Sequence, residues 1–295
     1  MLGETYALLC AAAWAAAVVL LRICGYGVPP VALNLFKNTV ALTLFLITLL
    51  LLGVDLVPAG VGRGDWAAVI LSGVLGLGVA DTLFLASLNR LGAGRNAIVD
   101  CLYSPSVVLC AYFFLNEDVS WRLVLSIGLM VGAILVGTPA DARDGERQPA
   151  RREVTEGVVL GALSMIFMAL GVTLAKPVLA HTDVWWVTTA RLAAGAVFLA
   201  IQCALRRDRR EILAHFRPTR AWRFMVPASI MSSYVAMILW LSAFQHTFAG
   251  LASVLNQTSS VFVLVFAALF LGERLTRRRA AAVVLGIAGA VAAAA

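Results

Sequence analysis

Apolar runs of membrane length recur ten times along this chain, near residues 4 to 24, 30 to 53, 66 to 88, 95 to 115, 120 to 138, 156 to 176, 183 to 205, 221 to 244, 249 to 271 and 278 to 295. A bilayer core of roughly 30 Å requires about 20 residues of a helix that rises ~1.5 Å per residue. The expected fold is therefore all-α, an integral membrane bundle of ten transmembrane helices. Composition agrees, since 61% of the 295 residues are hydrophobic and only 13% charged, against about 25% charged in soluble domains. The first run opens MLGETYALL, with no basic n-region and no small-residue cleavage site, and reads as a retained helix rather than a signal peptide.

The net charge of +7 does not point to nucleic acid, because the basic residues sit in loops between spans. Loops after the odd-numbered spans hold 18 of them and the opposite face only Arg63, Arg122 and Lys176. Seven arginines lie between Arg206 and Arg223 alone. Basic loops are retained in the cytoplasm, so the expectation is a multi-pass cell-membrane protein with both termini outside and the lipid bilayer as its surroundings. The five cysteines show no CxxC or Cys/His spacing, and neither a metal nor a cofactor is expected.

The chain also reads twice. Shifted by 156 positions, Ala93 to Glu117 meets Ala249 to Glu273 with eight identities in 25 places, among them Ala93/Ala249, Gly94/Gly250, Ser104/Ser260 and Glu117/Glu273. At an offset of 154, Arg22 meets Lys176 and Lys37 meets Arg191. Residues 1–138 and 155–295 are thus expected to be two five-helix repeats, joined by a polar cytoplasmic linker, 139–154. Five is odd, so the second copy enters the membrane from the other side. Inverted repeats of this kind recur in secondary transporters, where a pseudo-two-fold axis lets one pattern supply both the inward-open and the outward-open packing.

Small residues at Ser72/Gly76/Ala80, Gly128/Gly132 and Gly157/Gly161 are expected to let helices approach closely within the bundle. Four ionisable residues lie inside apolar runs, namely Lys37, Asp81, Asp100 and Arg191. Intramembrane charge costs ~2.5–3.5 kcal/mol or more and normally faces a partner or a wet cavity. Lys37, Asp81 and Asp100 share one depth, so a lysine between two carboxylates is expected, able to exchange a proton or accept an amine. A plain salt bridge, or pairing of the aspartates with Arg90 and Arg95, is the structural alternative. In the second half Asp81 becomes Met237 and Asp100 becomes Asn256, so the carboxylates exist on one side only.

Arg191 offers bidentate binding of a carboxylate, or snorkels to the interface. Asn256, Gln257, Thr258, Ser259 and Ser260 run consecutively and so go round a helix, with Tyr234 on the eighth span. They suit a polar metabolite or serve as packing glue. Trp14 and Tyr103, deep in their runs, are the preferred aromatic walls. Pro105 frees the carbonyl of Cys101 and marks a bend. Glu117 and Glu273 are expected to favour the N-terminus of the helix that follows each.

Trp14, the early basic residues Lys37 and Arg191-Leu192, the pattern ASLNRLGAGRNAIVDCLYSP...LNE and its second copy AFQHTFAGLASVLNQTSSVFVLVFAALFLGERLT together resemble the drug/metabolite transporter superfamily, in particular its ten-span EamA-type members. The resemblance covers nearly the whole chain. Lys37 stands where arginine is usual, and no proline stands at Ser260 or Val261 to bend the ninth span. The resemblance implies a basket of helices around a central cavity and export or exchange of amino acids, related metabolites or drug-like compounds. It also implies cytoplasmic termini, against the charge distribution.

The reading is a secondary active transporter, not an enzyme, moving a small polar organic solute with protons as coupling ion, as a monomer or homodimer. Substrate contact is assigned to Trp14, Tyr103, Arg191, Tyr234, Asn256, Gln257 and Ser260, and coupling to Lys37, Asp81 and Asp100. Export of organic cations is the alternative. A membrane-embedded enzyme is disfavoured, since Gly76 to Asp81 (GLGVAD) departs from a GxGD motif and no HExxH or DDxxD is present.

Overall fold

The computed structural model describes residues 2–115, 121, 125, 128–129, 132–133, 136, 151–273 and 276–294. Every regular element among them is helical. Helix α1 (Leu2–Cys24) and α2 (Pro30–Leu52) form the first hairpin. Pro30 opens α2, where its missing N–H costs nothing, and Gly53, at φ 67°, closes it. The third run is one long rod with a change of winding at its middle: α3 (Arg63–Gly73), a π-helical turn π1 (Val74–Ala80) and α4 (Asp81–Leu91). The fourth is broken into α5 (Ala93–Val99), a 3₁₀ turn (Asp100–Leu102) and α6 (Tyr103–Leu115).

The second half repeats this order. Helix α7 (Arg151–Leu179) and α8 (Val184–Leu205) are followed by a short surface helix α9 (Arg209–Ala214). Then come α10 (Trp222–Ser229), π2 (Ile230–Val235) and α11 (Ala236–His246), α12 (Ala249–Asn256) and α13 (Ser259–Leu271), and finally α14 (Arg277–Ala294). The two π turns begin at Val74 and Ile230, which are repeat mates, and the two breaks fall at Asp100 and just after Asn256, also mates.

Seven helices among the described residues have the length and apolarity to cross a membrane. Three of the expected ten are not among these seven, and the tenth run, α14, is 18 residues long and opens on three arginines. The fifth run and Glu117 lie largely or wholly outside the described residues. The ninth run does not form one rod, being broken at its polar stretch into α12 and a 13-residue α13, about 20 Å of helix. The five polar residues therefore sit at a break instead of encircling a helix, although no proline is there. At the linker, α7 already starts at Arg151, four residues before the expected start of the second half.

Small residues set the packing around π1. A Cβ on Gly171 would lie 3.1 Å from the Gly76 Cα and from the Ser72 carbonyl, and one on Gly73 would lie 2.2 Å from the carbonyl oxygen of Arg191. The Ser72 hydroxyl donates to the Gly171 carbonyl and Ser164 donates to that of Ala80 at 2.8 Å. Asn34 on α2 donates to the carbonyl of Leu77 at 2.8 Å. A π turn leaves carbonyls out of the regular ladder, and in lipid such groups need side-chain partners. Gly157 and Gly161 likewise face Leu91 and Val99 of the same bundle.

Matched contacts appear at both ends. Arg22, closing α1, donates to the carbonyls of Leu88 and Asn89 at the end of α4, at 2.9 and 2.8 Å. Its repeat mate Lys176, near the end of α7, donates to the Thr247 carbonyl just past α11 at 3.3 Å. A cation at a helix C-terminus satisfies carbonyls that have no intrahelical donor and complements the dipole. The fourth and ninth runs cross antiparallel, α5 against α13 and α6 against α12. Ser104 and Ser253 share a hydrogen bond at 3.0 Å, while Ser260 donates to the Ala97 carbonyl at 3.0 Å; Ser104/Ser260 and Ala97/Ser253 are repeat mates.

Candidate functional site

The π turns and the helix breaks converge on one cavity of about 100 Å³, several times the ~30 Å³ share of a water molecule in the liquid. Eight of the ten residues assigned to substrate contact or coupling line it, Trp14, Lys37, Asp81, Asp100, Tyr103, Arg191, Asn256 and Gln257, and so does Ser259 of the polar run. Two do not. Tyr234 turns to α2, where its hydroxyl meets that of Thr48 at 2.6 Å and its ring packs on Phe45. Ser260 faces α5, as described above.

Lys37 and Asp81 form a buried ion pair, the side chains 3% and 5% exposed, and Lys37 also donates to Ser233 of π2 at 3.2 Å. Placement follows from local winding. The face of α2 that carries Asn34, Lys37 and Asn38 turns inward against the third run, and Asp81 is the first residue after π1. The expected lysine between two carboxylates is not what forms. Asp100 sits in the 3₁₀ turn of the fourth run and accepts from Asn96 at 3.1 Å, with no ion pair among the described residues. Nor do the aspartates pair with Arg90, which lies near Glu156 at 3.8 Å.

Arg191, the repeat mate of Lys37, neither snorkels nor pairs. It is 1% exposed, and all three guanidinium nitrogens are buried without a hydrogen-bond partner. The guanidinium lies 5.3 Å from the Trp240 ring. It also passes over Gly76, where a Cβ would lie 3.2 Å from one terminal nitrogen. Lys37 thus reaches π2, and Arg191 reaches π1. Asn256, at the break of the ninth run, likewise has both amide atoms buried and unpartnered. Buried polar groups are normally satisfied, and both of these line the cavity.

Aromatic and sulfur groups close the walls. Trp14 packs on Phe84 at 5.3 Å and Tyr103 faces Trp240 at 6.3 Å, ring centre to ring centre. Met165 and Met168 of α7, Ser232 of π2 and Met237 of α11 also line the cavity. Trp240, a further aromatic candidate in the sequence though ranked behind Trp14 and Tyr103, lines it too, whereas sequence reasoning passed over Met165 and Met168. Nothing in an apolar run distinguishes a lining methionine from a packed one. Trp186 is structural, donating to the Leu56 carbonyl at 3.0 Å and meeting Trp66 edge to face.

Comparison with known proteins agrees with this arrangement. A solved structure titled only "Crystal structure of protein" superposes with a TM-score of 0.66 at 18% identity, covering 99% of this chain and 95% of that one. At that identity the likeness speaks for the fold alone. No curated protein matches the chain significantly. The EamA-like transporter family matches twice, over residues 1–138 and 155–294. The two matches together span most of the sequence, and the helices, the buried charges and the central cavity are those of a membrane carrier: the chain belongs to the EamA-like transporter family.

Proposed function

We propose that this protein is a secondary active transporter that exports or exchanges a small polar organic solute, an amino acid or a related metabolite, by alternating access with protons as the coupling ion. One observation carries the reading. Arg191 and Asp100 line the same cavity, carry opposite formal charges, and neither has an ion-pair partner among the described residues. A solute bearing both a carboxylate and an ammonium group supplies the missing partner to each, while Asn256, Gln257 and the walls of Trp14 and Tyr103 hold its remainder. Broken helices at mid-membrane sites serve this purpose in other transporter folds.

In this reading the chain has ten spans in two inverted repeats, 1–138 and 155–295, with 139–154 between them, and both termini lie outside. A C-terminal reporter active only in the cytoplasm would be silent; activity would reverse the orientation. Coupling is assigned to Asp81 or Asp100. Asp81→Asn and Asp100→Asn should each be tested in proteoliposomes, where at least one should abolish gradient-driven uptake and spare counterflow. Unchanged driven uptake in both removes the coupling claim.

A second reading, export of lipophilic cations, draws on Trp14, Tyr103 and Trp240 lining the same cavity as Asp100. Growth protection against cationic dyes, with none against toxic amino acid analogues, would favour it.

A further inference from the structure

The two halves of the site place corresponding residues around one cavity but differ in their carboxylates, since Asp81 and Asp100 have the neutral mates Met237 and Asn256. Lys37 and Arg191 are mates, each on the second helix of its repeat and each reaching the π turn of the other half. Asp81 and Met237 are mates as well, placed just after π1 and π2. Lys37 is paired with Asp81, whereas Arg191, which lines the same cavity as Asp81 and Asp100, forms no ion pair among the described residues and has the thioether of Met237 at the position that mates with Asp81. The guanidinium is consequently fully buried, charged and unpartnered, which a folded protein tolerates only where something else completes the site.

We propose that Met237 sets the specificity of this site by withholding a counter-ion from Arg191, so that a carboxylate of the transported solute takes the place Asp81 takes beside Lys37. This rests on the transport reading and deepens it by fixing which chemical group the Arg191 side recognises. A guanidinium presents a planar fork that a carboxylate matches with two parallel hydrogen bonds, and a neutral amide matches poorly. Trp240 lies 5.3 Å from the guanidinium, Gly76 leaves room beside one terminal nitrogen that a Cβ would crowd at 3.2 Å, and Arg191 lines the cavity. Met237, unbranched and polarisable, adapts to the apolar portion of whatever carries the carboxylate. A built-in carboxylate at position 237 would satisfy Arg191 permanently and exclude the solute.

The probe is benzoate against its neutral isostere benzamide, added to the purified full-length protein, with the thermal midpoint read from tryptophan fluorescence. Benzoate should raise the midpoint of the unaltered protein and of Met237→Leu, and benzamide should not. Met237→Asp should need at least about tenfold more benzoate for the same shift. Equal responses to benzoate and benzamide, no response to benzoate, or an undiminished response in Met237→Asp would each overturn the proposal. The benzoate–benzamide contrast on the unaltered protein decides the matter even where Met237→Asp does not fold. Binding without any counterflow would instead count against transport, and counterflow of solutes lacking a carboxylate at an undiminished rate would count against Met237 alone.

Discussion

The carboxylate of Glu273 accepts hydrogen bonds from the backbone N–H groups of Ala93 and Gly94, at 2.8 and 2.9 Å. The sequence suggested that Glu273 serves the helix that follows it. Instead it caps the start of α5, the entering helix of the opposite half, and lies 3.6 Å from Arg279 of α14. The two ends of the repeated motif, its Ala-Gly opening and its acidic close, are therefore partners across the molecule. Its mate Glu117 lies outside the described residues.

Loss of this cap should loosen the opening of the fourth run. Glu273→Ala leaves two N–H groups without an acceptor, at a cost of about 1–3 kcal/mol. Hydrogen exchange should quicken at Ala93 and Gly94 and remain unchanged in α8; uniform protection in both would discount the contact.

The Lys37–Asp81 pair offers a sharper energetic test. Removing one partner strands a buried charge, so Lys37→Met should destabilise the protein by about 3–5 kcal/mol, and Asp81→Asn added to it should recover much of that loss. The measurement is detergent-phase unfolding of the single and double variants. Additive losses would mean that the two side chains do not act as a pair.

Close backbone approach predicts a steep contrast between glycines. At Gly73 a methyl group would collide with the Arg191 carbonyl at 2.2 Å, whereas at Gly27 nothing lies within 4 Å. Gly73→Ala should cost about 1–3 kcal/mol or more through forced separation of α3 and α8, and Gly27→Ala should leave the melting temperature nearly unchanged. Similar behaviour of the two would contradict the packing.

Ser260 separates packing from binding. Its hydroxyl ties α13 to α5, so Ser260→Ala should cost roughly 0.5–1.5 kcal/mol of stability while leaving the benzoate response intact. A lost response with normal stability would return Ser260 to the cavity wall.

Much of this was legible in residue order. Apolar runs announced helices because lipid leaves the backbone few alternatives, and the pairing of Lys37 with Arg191 and of Asp81 with Met237 came from counting positions. The breaks in the fourth and ninth runs were only half legible. Pro105 announced one, but nothing local to Ser260 announced the other, since mid-membrane breaks are stabilised by neighbouring helices rather than by their own sequence.

The sequence by itself determined that this chain is a helical membrane protein with an internal repeat and charges placed where lipid forbids them. Only the tertiary structure decided which charges neutralise one another. Helix depth gave Lys37, Asp81 and Asp100 the same level, but an ion pair needs a shared direction as well. Rotation of α2 against π1 brought Lys37 to Asp81, the 3₁₀ turn kept Asp100 apart with Asn96, and Arg191 was left buried without a hydrogen-bond partner. Those rotations are fixed by side-chain packing between segments far apart in the chain, at Ser72 with Gly171 and at Gly73 with Arg191, and no local pattern encodes them.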